Sequence, residues 1–219
     1  MNLKRKLLLA TLPLALGLSS FAQAEMTLKI AETREELEAC FKILHDAYVA
    51  AGFMKPDPSG LRVTIYHALP TTTTLCAKWD GQVIGTISMI REGVFGFPLQ
   101  SVFNLGQVRA KTGKIAEISA LAIDPRFRAT GGRILFPLMK FMYEYCVTFF
   151  DTRHLVIAVN PNRIEMYEKI LDFLDRQIGS KARDRYRAIS HLGGKKIHRR
   201  AADEARDKAV VGVVVQIQR

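Results

Sequence analysis

The spacing of apolar and polar residues along the chain predicts alternating strands and helices. Short apolar runs between turn residues predict strands at 28–31, 73–79, 82–90, 118–123, 154–159 and 210–217. Apolar residues at helical spacing predict helices from Thr33 to Gly52, from the glycine pair at 131–132 to about Phe150, and over 164–171. An Asp80-Gly81 pair between two of the strands is typical of a β-hairpin.

This order of elements predicts an α/β fold with a mixed central sheet and helices on both of its faces. Two long segments, 53–70 and 92–114, interrupt the regular pattern, and the first of them contains three prolines. Loops of that length inside a compact domain usually serve as lids or binding loops. We therefore expect the segment 53–70 to take part in function.

Residues 1–24 differ in composition from the rest. Three basic residues at 4–6 precede an apolar run at 7–18, and Ala-Gln-Ala at 22–24 fits a cleavage site for small residues. This pattern is typical of a bacterial secretory signal and is too short for an ordinary membrane span. We expect a signal-like segment at 1–24 and a single domain at 25–219. Export or association with the inner membrane follows, with a cytoplasmic location as the alternative.

The composition is that of a globular domain with excess positive charge. Of 219 residues, 48% are hydrophobic and 24% are charged, and the formal net charge is +11. That excess gives either a merely basic surface or an affinity for an acidic partner, such as a membrane surface or an acidic carrier protein. Nucleic-acid binding is disfavoured, because the basic stretch at 175–208 has few interleaved aromatic residues. Three cysteines in apolar surroundings fit core positions.

The most informative segment is 116–133, AEISALAIDPRFRATGGR. Its apolar residues predict a buried strand, which Asp124-Pro125 ends. The turn that follows contains Arg126, Arg128 and the pair Gly131-Gly132, ahead of a helix. Glycine lets a phosphate approach the backbone, while the helix N-terminus and the guanidinium groups favour an anion. The segment therefore predicts a phosphate-binding loop directly after a buried strand.

Three segments in this order carry a family resemblance. They are 45–86, which begins HDAYVAAGF and ends GQVIGT, EISALAIDPRFRATGGR at 117–133, and LVIAVNPNRIEMYEKIL at 155–171. They resemble the GNAT acyltransferase superfamily and, more closely, its N-acyl amino acid synthases, which are related to the acyl-homoserine-lactone synthases. The resemblance extends over 28–174 and is poor in the tail.

The resemblance implies transfer of a long-chain acyl group to the α-amine of an amino acid. The donor would be a phosphopantetheine thioester on acyl carrier protein or, alternatively, coenzyme A, with no bound cofactor and no metal. The attacking amine must lose a proton, the thioester carbonyl must be polarised and the thiolate must leave. The expected partners are the carrier protein, the amino acid and a membrane surface.

Three residues are candidates for catalysis. Glu117 matches the acid of the E-x-S pattern of the autoinducer synthases, as a general base acting directly or through water, or else it pairs with a surface cation. Ser119 lies on the same strand face and bonds either substrate or a backbone group. Tyr167 matches the superfamily tyrosine that protonates the departing thiolate, or it fills the core.

The remaining site residues concern the donor and the acyl chain. Asn160 either binds the amide arm of the pantetheine or caps the next helix. The resemblance implies that phosphate and carrier contacts come from the loop residues Arg126, Arg128, Thr130, Gly131, Gly132 and Arg133. Apolar walls for acyl chain and acceptor are expected at Tyr48, Phe53, Met54, Phe95 and Phe103.

Three departures from the family patterns affect function. Ala120 stands where the autoinducer synthases have arginine, which argues against homoserine-lactone synthesis. Asp172 replaces a superfamily glycine, and Arg133 replaces a small residue, which favours one carrier phosphate over the pyrophosphate of coenzyme A. Two alternatives stay open: an acetyl-coenzyme-A-dependent N-acetyltransferase and a non-catalytic exported acyl-binding protein. Acyl carrier protein is cytoplasmic, so the signal-like segment conflicts with a carrier-dependent reaction.

Overall fold

The computed structural model describes residues 26–130, 132–160, 163–178, 189–192 and 211–216, with side chains up to Leu171. The strands are β1 (Met26–Ile30), β2 (Thr72–Trp79), β3 (Gln82–Arg91), β4 (Lys114–Ile123), β5 (Thr152–Val159), β6 (Ile189–Leu192) and β7 (Val211–Gln216). The helices are α1 (Arg34–Ala50), α2 (Gly106–Arg109), α3 (Leu135–Phe149) and α4 (Ile164–Ile178). Short 3₁₀ helices lie at Ile65–Ala68, Pro98–Ser101 and Pro125–Phe127. The signal-like segment 1–24, Gly131 and the side chain of Asp172 lie outside the described part.

One seven-stranded sheet has the order β1-β2-β3-β4-β5-β7-β6. Its strands pair antiparallel except for β4 and β5, which run parallel because α3 connects them. Helix α1 packs on one face against β2, β3 and β4, and α3 packs on the other face. The predicted α/β fold with a mixed sheet and helices on both faces is confirmed.

The largest part of the core lies between the sheet and α3. Apolar side chains of β2, β3, β4 and β5 interdigitate there with those of α3, among them Leu75, Ile87, Met89, Ile118, Leu138, Met142 and Leu155. A second cluster lies under α1, and a third lies between the sheet and the segment 92–108. Cys40, Cys76 and Cys146 are free and buried, as expected of small core residues. Within the described ranges, no helix is long and apolar enough to cross a membrane.

The structure differs from the predicted elements in several places, among them the later end of α4 at Ile178 and the earlier start of β4 at Lys114. Helix α3 begins at Leu135 and not at the glycine pair, because Gly132 has a left-handed φ of +86°. Pro137 therefore falls in the first turn, where its missing N–H would have no partner within the helix, so it does not force a bend. Strand β6 was not predicted, because it lies in the polar tail and is too short to show an alternation of apolar and polar side chains. The segment 92–114 contains α2 and a 3₁₀ helix.

A buried carboxylate ties α1 to two strands. Glu36 accepts hydrogen bonds from Lys78 Nζ at 2.8 Å, from Lys29 Nζ at 3.0 Å and from the backbone N–H of Glu32 at 3.1 Å. These donors, Lys78 first, lower the pKa of Glu36 to about 2. Because the folded pKa lies below its usual value of 4.5, the contact stabilises the fold at neutral pH and is lost as the pH falls towards 2.

We expect Glu36→Gln to lower the midpoint of thermal unfolding at pH 7 by roughly 2–4 °C, about 1 kcal/mol for a chain of this size. Circular dichroism melts at pH 7 and pH 3 test this, with the exposed partner of Arg34 changed as a control, Glu38→Gln. The difference should shrink at pH 3, where the wild-type carboxylate starts to be protonated. An equal difference at both pH values would show that packing, not charge, is lost.

Candidate active site

A β-bulge interrupts β4 next to the predicted catalytic residues. Ser88 of β3 lies opposite Ser119, but Thr86 lies opposite Ala122, so β4 has one extra residue between these pairs. Ala120 has a left-handed φ of +54° there. The bulge shifts the alternation of side chains, so that Ala120 and Ala122 pack with α1 while Ile123 faces the α3 side.

The parallel pairing of β4 with β5 ends just before this bulge. The paired residues run from Lys114 and Thr152 to Ile118 and Ile157. Strand β4 continues to Ile123 without further pairing to β5. As far as the described residues show, the backbone groups on this edge of β4 are therefore available to a ligand, apart from the carbonyl of Ile123, which accepts from Arg128 Nε at 3.0 Å.

A cavity of about 440 Å³ lies at this end of the sheet. Its walls come from the C-terminal end of α1, the end of β4, the loop before α3 and the start of α4. Six residues predicted for the site line it: Tyr48, Phe53, Arg128, Thr130, Gly132 and Tyr167. Their meeting in one cavity is consistent with a ligand that spans from the phosphate loop to α4.

Glu117 lies on β4 before the bulge and outside the cavity wall. Its side chain is buried, and Oε2 accepts a hydrogen bond from the backbone N–H of Leu99 at 3.0 Å. Burial raises the pKa of Glu117 to about 7, although the Leu99 contact opposes the shift. Among the described residues Glu117 forms no ion pair with a surface cation, which argues against that alternative role for its side chain. A carboxyl group with this pKa is half ionised near neutral pH.

Ser119 lies between Glu117 and the cavity along β4. It is half-buried and lies opposite Ser88 in the sheet. The hydroxyl of Ser88 is itself buried and bonded to Thr74 at 3.0 Å. Because Glu117 and Ser119 are two residues apart on the same side of the strand, a water molecule between them would connect the carboxyl group to the bulge.

Tyr167 lies on α4 and contributes to the cavity wall opposite Tyr48. Burial, with a smaller effect of Tyr48, raises the pKa of Tyr167 to about 12. Its phenol is therefore protonated at neutral pH and can donate a proton to a ligand in the cavity. The carbonyl of Asn160 accepts from the N–H of Arg163 at 2.8 Å in the turn before α4, and Asn160 does not line the cavity.

The phosphate loop is held by its own hydrogen bonds. Arg126 forms an ion pair with Asp124 at 2.7 Å, so its charge is already engaged. Thr130 Oγ1 donates to the carbonyl of Phe127 at 2.8 Å, and Arg133 is exposed and does not line the cavity. Of the three arginines predicted for the phosphate, Arg128 is the one in the cavity wall.

Two predicted wall residues lie elsewhere, and a third does not reach the wall. Phe95 is 56% exposed, and Phe103 is buried in the separate cluster that covers the start of β4. Met54 is half-buried and is not in the cavity wall. The expectation that these three residues line the cavity is therefore wrong in this structure. For Phe95 and Phe103 the reason is that the segment 92–108 folds over Glu117, away from the cavity.

A larger cavity of about 630 Å³ lies at the opposite end of β4, near Arg91, Lys114 and Thr152. None of the predicted site residues lines it. In the described part of the chain, no group of three or more His, Cys, Asp or Glu side chains is placed to hold a metal ion. We therefore take the smaller cavity as the candidate site, since Arg128, Thr130 and Gly132 of the predicted phosphate loop and Tyr167 line it.

The sequence did not indicate two features of this site. The N–H of Leu99 comes from an irregular segment without periodicity, and no motif marks it. Arg163 also lines the cavity, and its position three residues after Asn160 was the available signal. Both were missed because neither belongs to a strand or to a repeated spacing.

Comparison with known proteins identifies the family of the chain. The model of the family N-acyl amino acid synthase FeeM matches residues 39–188, more than half of the chain. The chain belongs to this family. No curated protein matches the sequence.

Solved structures show the same fold. The chain is similar to FeeM, an N-acyl amino acid synthase from uncultured soil microbes, with 20% identity, a TM-score of 0.63 and coverage of 89% of this chain and 92% of that chain. The chain is also similar to the acyl-homoserine-lactone synthase LasI, with 15% identity, a TM-score of 0.61 and coverage of 90% of this chain and 92% of that chain. For the coenzyme-A-dependent acyl-homoserine-lactone synthase BjaI the identity is 18%, the TM-score is 0.58, and the coverage is 90% of this chain and 85% of that chain. With its family and its GNAT-type fold, this FeeM-family protein is an N-acyltransferase.

We expect Gly132→Ala to destabilise the phosphate loop. The left-handed φ costs an alanine roughly 1–2 kcal/mol, and its Cβ would come within 2.7 Å of the Phe136 ring. Gly60→Ala is the matched control, because Gly60 has a φ of +66° but open space around it.

Urea unfolding of both variants measures the difference. Gly132→Ala should lose more stability than Gly60→Ala, and adding Phe136→Ala should recover part of the loss. Equal losses in the two glycine variants would mean that Phe136 does not restrict the loop.

Proposed function

We propose that this N-acyltransferase moves a long-chain acyl group from a phosphopantetheine thioester on acyl carrier protein to the α-amine of an amino acid. The observation that carries the proposal is the unpaired edge of β4 beside the cavity. An extended pantetheine arm carries amide groups that can pair with such an edge as an added strand would. Membership of the N-acyl amino acid synthase family supports the acceptor class.

The donor phosphate is proposed to bind at Arg128, Thr130 and Gly132. The guanidinium supplies charge-assisted hydrogen bonds, and glycine lets the phosphate approach the backbone. The net charge of +11 favours an acidic carrier protein over a neutral partner. The acyl chain would lie against the apolar part of the cavity wall, which includes Leu121, Leu135 and Met166.

The reaction forms one C–N bond and breaks the C–S bond of the thioester. The amine proton passes to Glu117 through water near Ser119, because Glu117 is buried and the cavity does not reach it. Backbone N–H groups at the bulge polarise the thioester carbonyl. The leaving thiolate takes the phenolic proton of Tyr167. Tyr167 then regains a proton from solvent, and Glu117 releases the amine proton to solvent, which restores both groups.

The test is an assay of the full-length chain with dodecanoyl carrier protein, dodecanoyl-coenzyme A and acetyl-coenzyme A, each with the common amino acids. Mass spectrometry detects the products. We expect N-dodecanoyl amino acids, formed fastest from the carrier protein. Transfer from acetyl-coenzyme A alone would favour an N-acetyltransferase, and binding of dodecanoyl carrier protein without turnover would favour an acyl-binding protein.

We expect Glu117→Gln to lower turnover by roughly 10²–10⁴-fold, the usual cost of a missing general base. The wild-type rate should rise with pH around an apparent pKa of about 7, because the ionised form accepts the proton. Glu165→Gln, on the exposed side of α4, is the control. A folded Glu117→Gln protein with the wild-type rate would remove Glu117 from the mechanism.

We expect Arg128→Ala to raise the donor KM by roughly 10-fold or more, in line with the loss of a hydrogen bond to a charged group. The ratio between variant and wild type should decrease as salt rises, because salt screens the wild-type attraction. Steady-state kinetics at low and high salt check this, with Arg34→Ala as a control on an exposed arginine. A loss of kcat with an unchanged donor KM would contradict the assignment.

A further inference from the structure

Arg62 lies in the segment 53–70, which the sequence marked as a binding loop. Its backbone N–H donates to the carbonyl of Phe41 at 3.1 Å, which fixes the loop against α1. Its guanidinium carbon lies 4.2 Å from the centre of the Tyr48 ring. Tyr48 in turn lines the cavity together with Tyr167. The charge of Arg62 is thus held beside the cavity, on the side formed by α1.

Two features of the loop would favour an anion at Arg62: the lack of a paired carboxylate in the described part of the chain and a buried hydrogen-bond donor on His67. Among the described residues no carboxylate forms an ion pair with Arg62, whereas Arg34 and Arg126 each have one. In the same loop, His67 Nδ1 accepts from the N–H of Thr64 at 3.0 Å, which assigns the proton of the neutral ring to Nε2. That Nε2 is buried and has no partner among the described residues.

The pKa of His67 is consistent with an Arg62 guanidinium that no described acidic side chain neutralises. Burial and, after it, the charge of Arg62 lower the pKa of His67 to about 4. Its ring therefore stays neutral at physiological pH, and the positive charge that acts on it comes from Arg62. No acidic side chain contributes to the shift of His67. An anion bound at Arg62 would meet a positive potential without having to displace a protein carboxylate.

The loop also lies on the catalytic face of the sheet. Leu61, next to Arg62, packs against the cluster under α1, to which Ala120 and Ala122 of the β4 bulge belong. Ala120 is the position where the autoinducer synthases have an arginine, so this chain lacks a cation at that point of the strand. An acceptor that enters from the α1 side would pass Arg62 before its amine reached the bulge.

We propose that Arg62 binds the α-carboxylate of the acceptor amino acid, and this inference rests on the proposed function. An α-amino acid carries its carboxylate one carbon away from the nucleophilic nitrogen. A guanidinium can bind that carboxylate through two parallel hydrogen bonds, which fixes the orientation of the amine. Arg62 is therefore a specificity residue that selects amino acids over amines without a carboxylate.

The experiment compares two acceptors in the full-length protein, with dodecanoyl carrier protein as donor. They are the amino acid that the wild type acylates best and the carboxamide of that amino acid. For the wild type we expect kcat/KM to be roughly 10- to 100-fold higher for the free carboxylate, the usual worth of a charge-assisted hydrogen bond. Arg62→Gln should remove most of this preference by lowering the value for the amino acid alone.

Three controls make the result specific. Arg34→Gln should keep the wild-type preference, since Arg34 is exposed and paired with Glu38. Arg62→Lys should retain part of the preference through its charge. The donor KM should be the same in the wild type and in Arg62→Gln, which separates Arg62 from the phosphate loop.

Each outcome has one meaning. An equal loss with both acceptors in Arg62→Gln would overturn the inference, as would a wild type that acylates the carboxamide as well as the amino acid. Either result leaves the acyl transfer itself intact. If Arg62→Gln does not fold, the wild-type preference and the Arg62→Lys variant decide. If the wild type acylates no amino acid from any donor, the proposed function fails, and this inference fails with it.

Discussion

The end of the hydrogen-bonded pairing between β4 and β5 is the constraint on which the site depends. A parallel ladder that continued beyond Ile118 and Ile157 would use the backbone groups with which the proposed thioester donor would pair. The extra residue at Ala120 prevents this, because a bulge disrupts the ladder and increases the local twist. The cavity and the free strand edge are two results of the same irregularity.

The bulge also separates two chemical environments along one strand. Before it, Glu117 is covered by the 98–101 segment and has an elevated pKa because the surroundings are apolar. After it, the strand borders an open cavity in which Tyr167 keeps its proton. Two titratable groups with pKa values pushed to about 7 and about 12 suit the removal of one proton and the delivery of another.

Much of the fold could be predicted because its signals are local. Apolar runs between turn residues identified β2, β3 and β5, and the capping residue Thr33 marked the start of α1, where its side chain accepts from the N–H of Glu36. The phosphate loop was visible because glycines and arginines follow a buried strand. The bulge was not visible, since the run from Ile118 to Ile123 is apolar on both faces and hides a change of register.

The missed parts of the site depend on contacts between distant segments. No periodicity in 92–114 indicates that Leu99 bonds Glu117 or that Phe103 belongs to the cover of the strand. Aromatic residues alone therefore led to a wrong assignment of the cavity wall at Phe95 and Phe103. The start of α3 was also predicted too early, since glycine at a left-handed φ marks a turn before a helix as readily as a helix start.

The burial of Glu117 has a consequence for the folded state as a whole. Between pH 4.5 and about 7 the folded protein holds a proton that the unfolded chain has released. The free energy of unfolding therefore falls as the pH rises through this range, by at most about 1.4 kcal/mol per pH unit from this one group. Glu117 therefore contributes least to the free energy of unfolding at the pH values where its ionised form is most abundant. Proton affinity and conformational stability are thus coupled at the side chain of Glu117. A substitution that made this side chain neutral would raise the free energy of unfolding, but it would remove the proposed general base.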